Sequence, residues 1–152
     1  MKFFLIILTL VSFECFSQSK KIASLISELD NSQFTISHEA KATFSMHSKA
    51  AHKLIRIGKP ATEKLILALS DSTKVIMAQL VLCHIYFNAA TFAGPKVITV
   101  NNQHVSNYFL GQEKGEGLII SEIKNNNVYT KYIEANDREI IITYWKNKAA
   151  KK

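Results

Sequence analysis

The stretch that decides the expected fold is residues 48–87, SKAAHKLIRIGKPATEKLILALSDSTKVIMAQLVLCHIYF. It predicts two antiparallel helices joined by a tight turn and followed by a third helix. Gly58 ends the first helix, because a glycine adopts the left-handed conformation of a helix C-terminus without steric cost. Pro60 begins the second helix, since its missing N–H would be unpaired there in any case. A connection this short makes the flanking helices antiparallel.

The helix predicted over residues 73–87 is apolar almost all the way round, whereas the two helices before it each have a polar face. A helix without a polar face is normally covered on several sides. We therefore expect residues 73–87 to be the central element of the core. Residues 20–30 add a further helix, in which apolar side chains recur at the spacing of one helical face.

Residues 50–82 resemble one unit of the HEAT family of helical repeats. The pattern of such a unit is present in order as Leu54-Ile55, Ile57-Gly58, Pro60-Ala61, Leu65-Ile66, Ala68-Leu69, Asp71 and the apolar run from Ala78 to Leu82. The resemblance implies a packing unit, from a family whose members bind partners through helical surfaces and are usually not catalytic. A solenoid needs about three repeats to bury its own core. The rest of the core must therefore come from elsewhere in the chain.

After Gly94-Pro95 the pattern changes from helical to β-rich. Residues 96–100, KVITV, predict a short strand because β-branched residues favour strands. Residues 118–134 predict a β-hairpin, in which two alternating segments flank a turn at the three asparagines 125–127.

Residues 138–146 fit either a strand or a helix. The three isoleucines at 140–142 favour a strand. The spacing of Asn136 and Glu139 is that of a capping box, and cations gather after Trp145, where a helix dipole favours them. We predict a helix on these grounds.

Together these segments predict a single α+β domain over residues 18–152. Its helical part, residues 18–92, is expected to be an antiparallel helical hairpin or bundle of HEAT-like type. Its C-terminal part, residues 93–152, is expected to be a small β-hairpin region followed by a C-terminal helix. An apolar content of 47% in 152 residues is enough for one such core.

Residues 1–17, MKFFLIILTLVSFECFS, have the pattern of a signal peptide. A lysine precedes an apolar run, and small residues stand before a cut between Ser17 and Gln18. The run is too short to span a bilayer. We expect cleavage there, a mature chain in the periplasm or outside the cell, and no transmembrane span. A retained anchor is the alternative, and acylation at Cys15 is disfavoured because Ser-Phe-Glu precedes it.

The chain is basic, with 19 Lys and Arg against 12 Asp and Glu and a net charge of +7. Lys49, Lys53 and Arg56 lie at i, i+4 and i+7 on one helical face and form the possible interaction surface. Solvation of an amphipathic helix is the simpler explanation. Nucleic acid is not expected, because no aromatic residues interleave these cations. Cys83, the single cysteine of the mature chain, is expected to be buried and unreactive.

Motifs for catalysis, metal binding and cofactor binding are absent from the sequence. The five histidines lack the spacing of metal ligands, and His47 is interpreted as a core or boundary residue. The glycines of residues 111–117, GQEKGEG, follow neither the Walker nor the dinucleotide pattern, so a flexible turn is expected. We therefore predict no catalytic residue, no cofactor and no metal.

Three functional hypotheses remain open. The first is a non-catalytic module that binds a protein or a cell-envelope component. The second is a small hydrolase whose polar residues meet only in the fold, in a pocket that holds at least two histidines or carboxylates. The third is an electrostatic binder of acidic polymers or anionic lipid surfaces.

Overall fold

The computed structural model describes residues 17–38, 42–112, 115–126 and 128–151. The predicted signal peptide, with Cys15, lies outside this part of the chain except for Ser17. The helices in the described part are α1 (17–27), α2 (Lys49–Ile57), α3 (Thr62–Ala68), α4 (Val75–Phe87) and α5 (Ala135–Ala150). The strands are β1 (Phe34–Ser37), β2 (Thr43–Met46), β3 (Thr91–Val100), β4 (Gln103–Gly111), β5 (Leu118–Asn125) and β6 (Val128–Tyr132).

The strands form two antiparallel sheets. β1 pairs with β2, and the other sheet has the strand order β3-β4-β5-β6. The four-stranded sheet lies between the helices α1 to α4 and the C-terminal helix α5 along the chain. The predicted fold, a HEAT-like helical hairpin with a small β-hairpin region and a C-terminal helix, is therefore wrong. The sheet has four strands, and a separate ladder interrupts the helices between α1 and α2.

The strand predicted over residues 96–100 is confirmed as the second half of β3, which begins earlier, at Thr91. β4 was not predicted, because residues 103–107, QHVSN, contain a single apolar residue. The turn between the two strands contains Asn101 and Asn102, with φ of 50° and 63°. Two consecutive left-handed residues are typical of a tight hairpin turn. The hairpin predicted over residues 118–134 does form, as β5 and β6, with Asn126 in its turn at a φ of 47°.

α4 is the central element of the core, as its lack of a polar face predicts. Every residue from Val75 to Cys83 is buried. α2 and α3 pack against this helix, and so do β4 and β5 of the larger sheet. Burial of each large apolar side chain contributes about 1.5–3 kcal/mol, so this helix dominates the stability of the helical layer.

The turn between α2 and α3 has the predicted glycine and proline in their expected places. Gly58 has a φ of 72°, and its N–H donates to the Leu54 carbonyl oxygen at 3.0 Å. Pro60 lies in a single 3-10 turn, Lys59–Ala61, which leads directly into α3. At the other end of α2, the Ser48 hydroxyl accepts a hydrogen bond from the Ala51 N–H at 3.2 Å, which is ordinary N-capping.

An aromatic cluster joins the β1-β2 ladder to the larger sheet. The rings of Phe34 and Phe44 stack with centroids 5.3 Å apart. Phe92 contacts both rings edge-on, at 5.8 Å and 5.5 Å, and stacks on Tyr108 at 5.3 Å. Aromatic pairs at these distances stabilise beyond their buried area. The cluster therefore fixes the position of the small ladder against β3 and β4.

The last segment is a helix over its whole length, which confirms the preference for helix over strand at residues 138–146. Ile141 and Trp145 are fully buried, whereas Ile140 is half exposed. The predicted capping box at Asn136 does not form, because α5 begins two residues earlier, with Glu134 as its N-cap, and this N-cap makes no side-chain capping hydrogen bond in the described part of the chain. No helix among the described residues is long and apolar enough to cross a bilayer.

Candidate functional site

The predicted interaction surface lies on α2, and its three residues do not act as one site. Lys49, Lys53 and Arg56 are all exposed. Lys53 and Arg56 line a cleft of about 540 Å³ between α2 and α1, to which α1 contributes Lys21 and the turn after α1 contributes Glu28. Lys49 lies outside the lining of this cleft. The structure thus places two of the three predicted cations at a shallow, mixed-charge surface.

A second and more basic depression lies where the start of α3, the end of α4 and the end of α5 meet. Its volume is about 610 Å³, and four lysines belong to its lining, Lys59, Lys146, Lys148 and Lys151. An adjoining depression of about 540 Å³ shares three of these lysines and Tyr86, and adds Tyr144 and Asn147. We call the two together the lysine groove.

Aromatic rings hold two of these lysines in the groove. The Lys59 Nζ lies 6.0 Å from the centre of the Tyr86 ring. The Lys148 Nζ lies 4.7 Å from the centre of the Phe87 ring and 5.8 Å from that of Tyr144. An ammonium over an aromatic face is stabilised by the ring quadrupole. The rings therefore fix the positions of Lys59 and Lys148. One carboxylate, that of Glu63, also lies in the lining of the groove.

The floor of the lysine groove is partly apolar. Ile66 and Leu67 line it, and Leu67 is 66% exposed although its neighbours Leu65 and Ile66 are buried. Thr62 also belongs to the lining, and its buried hydroxyl has no hydrogen-bond partner among the described residues. An unsatisfied buried hydroxyl costs about 1–3 kcal/mol, and this one is shielded from solvent, so it is not open to a ligand in the groove.

The sequence pattern could not have shown the lysine groove. Lys59 precedes Lys146 by more than eighty residues, and only the packing of α5 beside α3 brings them together. The lysines of α5 read locally as favourable charges at a helix C-terminus. The one local feature in the sequence was a leucine at position 67, on the face of its helix that also carries Glu63 and Lys64.

A histidine that follows β1 contacts a buried acid on β5 of the larger sheet. The His38 Nε2 lies 2.6 Å from a carboxylate oxygen of Glu122, and the Tyr108 hydroxyl donates to the same oxygen at 3.4 Å. The Glu122 side chain is 4% exposed and that of His38 is 34% exposed. The His38 ring stacks on Tyr129 with centroids 4.2 Å apart. This arrangement closes the carboxylate off from solvent.

Two residues near Glu122, Tyr108 and Lys131, have shifted pKa values. Burial raises the pKa of Tyr108, and the negative charge of Glu122 raises it further. Lys131 faces Glu122 across the β5-β6 pair. Burial holds the pKa of Lys131 below its usual value, although the attraction of Glu122 opposes this effect. The Lys131 Nζ donates to the Phe34 carbonyl oxygen at 2.5 Å, so its hydrogen bonding serves to attach β1.

A second buried acid, Glu116, lies in the glycine-rich segment between β4 and β5. One of its carboxylate oxygens accepts from the Gln112 N–H, and the other accepts from the Gln79 amide at 3.0 Å. The Gln79 side chain also donates to the Glu116 carbonyl oxygen at 2.7 Å and accepts from the Trp145 indole N–H at 2.7 Å. Carboxylate, amide and indole thus connect the sheet, α4 and α5 through the interior.

The glycines of this segment serve close packing. A Cβ on Gly111 would lie 2.2 Å from a Glu116 carboxylate oxygen, and one on Gly117 would lie 1.7 Å from the Phe109 ring. The backbone N–H of Gln112 points at the protein's own carboxylate. The segment is therefore occupied where a phosphate would have to bind, and residues 113–114, at its tip, lie outside the described part of the chain.

The remaining histidines are separate from these sites, whereas the Cys83 sulfur accepts a hydrogen bond from the Gln79 amide at 3.5 Å and so borders the Glu116 network. His47, His52 and His104 are exposed, so the interpretation of His47 as a core or boundary residue is wrong. Burial, and then repulsion from His52, lowers the pKa of His84. Cys83 is buried as predicted, and burial raises the pKa of its thiol. Among the described residues, no group of three or more His, Cys, Asp or Glu could hold a metal.

Comparison of the chain with protein-family models, with curated proteins and with solved structures finds no match. The resemblance of residues 50–82 to a HEAT unit therefore rests on those residues alone.

Proposed function

We propose that the protein is an exported, non-catalytic module that binds an anionic component of the cell envelope through the lysine groove. The observation that carries this proposal is the convergence of Lys59 with Lys146, Lys148 and Lys151 around a partly apolar floor. These cations come from two distant parts of the sequence and meet in one depression. Lysines without a common ligand would be expected to lie farther apart, because like charges repel each other.

Electrostatics favours an anion at this place. Several ammonium groups around one depression repel each other, and a bound anion converts that repulsion into attraction. The net charge of +7 would also attract anionic surfaces at long range. The cleft with Lys53 and Arg56 offers a second cationic surface for the same class of partner. Export, which the signal-like residues 1–17 predict, would bring the chain to an envelope rich in such anions.

The hydrolase hypothesis has less support. Its buried carboxylates, Glu116 and Glu122, are each engaged by side chains of the protein itself. Four clefts formed by described residues are each lined by at most one histidine or carboxylate, Glu28 in one and Glu63 in another. An acid–base pair open to a substrate would need two such groups in one lining.

Vesicle binding tests the proposal. The purified protein is mixed with vesicles of phosphatidylcholine alone, with vesicles that also contain phosphatidylglycerol, and with soluble polyglutamate. We expect binding to an anionic probe and none to phosphatidylcholine, with affinity that falls as sodium chloride is raised from 50 to 500 mM. Lys59→Glu combined with Lys146→Glu should weaken binding by about tenfold or more, since each lysine near an anionic surface contributes about 1 kcal/mol.

A matched control removes the effect of net charge. Lys96→Glu combined with Lys124→Glu makes the same change in charge at exposed positions on the sheet. This variant should retain most of the affinity for the anionic probe. Equal weakening by both pairs would show that binding follows total charge and not the groove, and failure of the unmodified protein to bind either anionic probe would refute the proposal.

A further inference from the structure

The two lobes of the lysine groove differ in chemistry. The lobe that contains Tyr144 and Asn147 shares Lys59, Lys148 and Lys151 with its neighbour and has no aliphatic side chain other than lysine stems in its lining. The other lobe adds a group of aliphatic residues, Pro60, Ile66, Leu67 and Ala149. A cationic lobe beside an apolar lobe fits a ligand with an anionic end and an apolar end.

From this division, and resting on the proposed function, we infer that the groove holds one molecule of a single-chain anionic amphiphile. The phosphate or carboxylate head lies among Lys59, Lys148 and Lys151, and the acyl or alkyl chain lies along Ile66 and Leu67. Charge complementarity places the head, because a desolvated anion requires cationic donors. We place the acyl or alkyl chain of the ligand on the exposed face of Leu67, because contact there removes apolar surface from water.

The size of the groove agrees with this ligand. A volume of about 610 Å³ falls in the range of about 300–1,000 Å³ that is usual for small-molecule sites.

Trp145 provides a reporter for the experiment. It is the sole tryptophan, it is buried, and its ring lies 5.2 Å from those of Tyr86 and Tyr144, which line the groove. Dodecyl phosphate, octyl phosphate, methyl phosphate and the neutral dodecyl maltoside are titrated below their micelle concentrations, by fluorescence and by calorimetry. We expect a 1:1 complex with dodecyl phosphate whose affinity exceeds that of octyl phosphate by about two- to fourfold per methylene covered.

The probes separate this inference from the proposed function. If methyl phosphate binds as tightly as dodecyl phosphate, the apolar lobe is not used and the inference is overturned, while anion binding stands. If dodecyl maltoside binds as tightly, the lysines do not select the head and the inference is again overturned. If anionic vesicles bind but no monomeric amphiphile does, the groove recognises a surface and not a single molecule, which overturns the inference and leaves the proposed function.

Two variants locate the chain. Leu67→Ser removes the exposed apolar side chain from the groove, and Ile140→Ser removes another exposed one from α5, outside the lining of the groove. We expect Leu67→Ser to abolish the advantage of dodecyl over octyl phosphate, and Ile140→Ser to leave it unchanged. Unchanged chain dependence in Leu67→Ser, with the variant still folded by circular dichroism, would overturn the inference.

Discussion

The regions around Glu116 and Glu122 each bury a carboxylate, yet they stabilise different parts of the molecule. Glu116 is fully buried, and its network reaches α4 and α5 through Gln79 and Trp145. Glu122 is 4% exposed, and one of its partners is the partly exposed His38, at the end of β1. The first region therefore connects the layers of the core, whereas the second attaches the small ladder to β5 of the larger sheet.

The difference shows how the chemistry of the partners decides the importance of a buried acid. Both oxygens of Glu116 face groups that can only donate, a backbone N–H and a side-chain amide NH₂. The partners of Glu122 are an imidazole and a phenol, and each can either donate or accept. The region of Glu116 should therefore tolerate little change, and that of Glu122 should adapt.

The largest expected effect comes from truncating the aromatic anchor of each region. Trp145→Ala opens a cavity and leaves the Gln79 side-chain oxygen without its indole donor, so we expect a loss of about 3–5 kcal/mol in the free energy of unfolding. Tyr129→Ala removes a ring that is 41% exposed and should cost about 1 kcal/mol or less. Urea unfolding followed by far-ultraviolet circular dichroism measures both. If both variants lost a similar free energy of unfolding, burial would not explain a difference between the two regions.

A smaller and more specific effect is expected from changing each acid to its amide. In Glu116→Gln, the new NH₂ must face either the Gln112 N–H or the Gln79 amide, so one buried hydrogen bond becomes a repulsion. We expect a loss of about 2–3 kcal/mol. In Glu122→Gln, His38 can change tautomer and accept from the new NH₂, so the loss should be about 1 kcal/mol. Equal losses, measured by the same unfolding experiment, would contradict the role assigned to the partners.

The sequence revealed the helical region better than either acid region. α4 was predictable because its apolar character is a local property of residues 73–87, and the turn at Gly58 was predictable because the glycine and proline lie within three positions. The KVITV segment of β3 was predictable from its β-branched residues. The prediction of a small hairpin region failed on β4, whose first five positions hold only one apolar residue although Tyr108 and Leu110 are buried.

Tertiary pairings were beyond the reach of local patterns. Gln79 and Glu116 are 37 positions apart, and His38 and Glu122 are 84 positions apart. A lone glutamine in an apolar helix was the one hint of the interior network, because a buried amide requires partners. The lysine groove depends in the same way on the packing of α5. The isoleucines at 140–142 fit either a strand or a helix, and the structure shows a helix there.

The smallest expected effect extends the comparison to a carboxylate at the surface. Asp71, before α4, accepts from the Thr73 N–H at 2.8 Å and from the Thr73 hydroxyl at 2.7 Å, and it pairs with Lys74 at 2.5 Å. These bonds, the Lys74 bond first, lower the pKa of Asp71 from 3.8 to about 2. Its stabilisation is therefore complete above pH 4 and is lost as the pH falls from about 4 to about 2.

Asp71→Asn should accordingly be less stable than the unmodified protein at pH 7, and the gap should close as the pH falls to about 2. The side chain is 39% exposed, so solvent screening limits the gap to about 1 kcal/mol or less. Thermal unfolding at intervals between pH 2 and pH 7 measures it. A gap that stayed constant across this range would show that the difference between the two side chains does not arise from ionisation of Asp71.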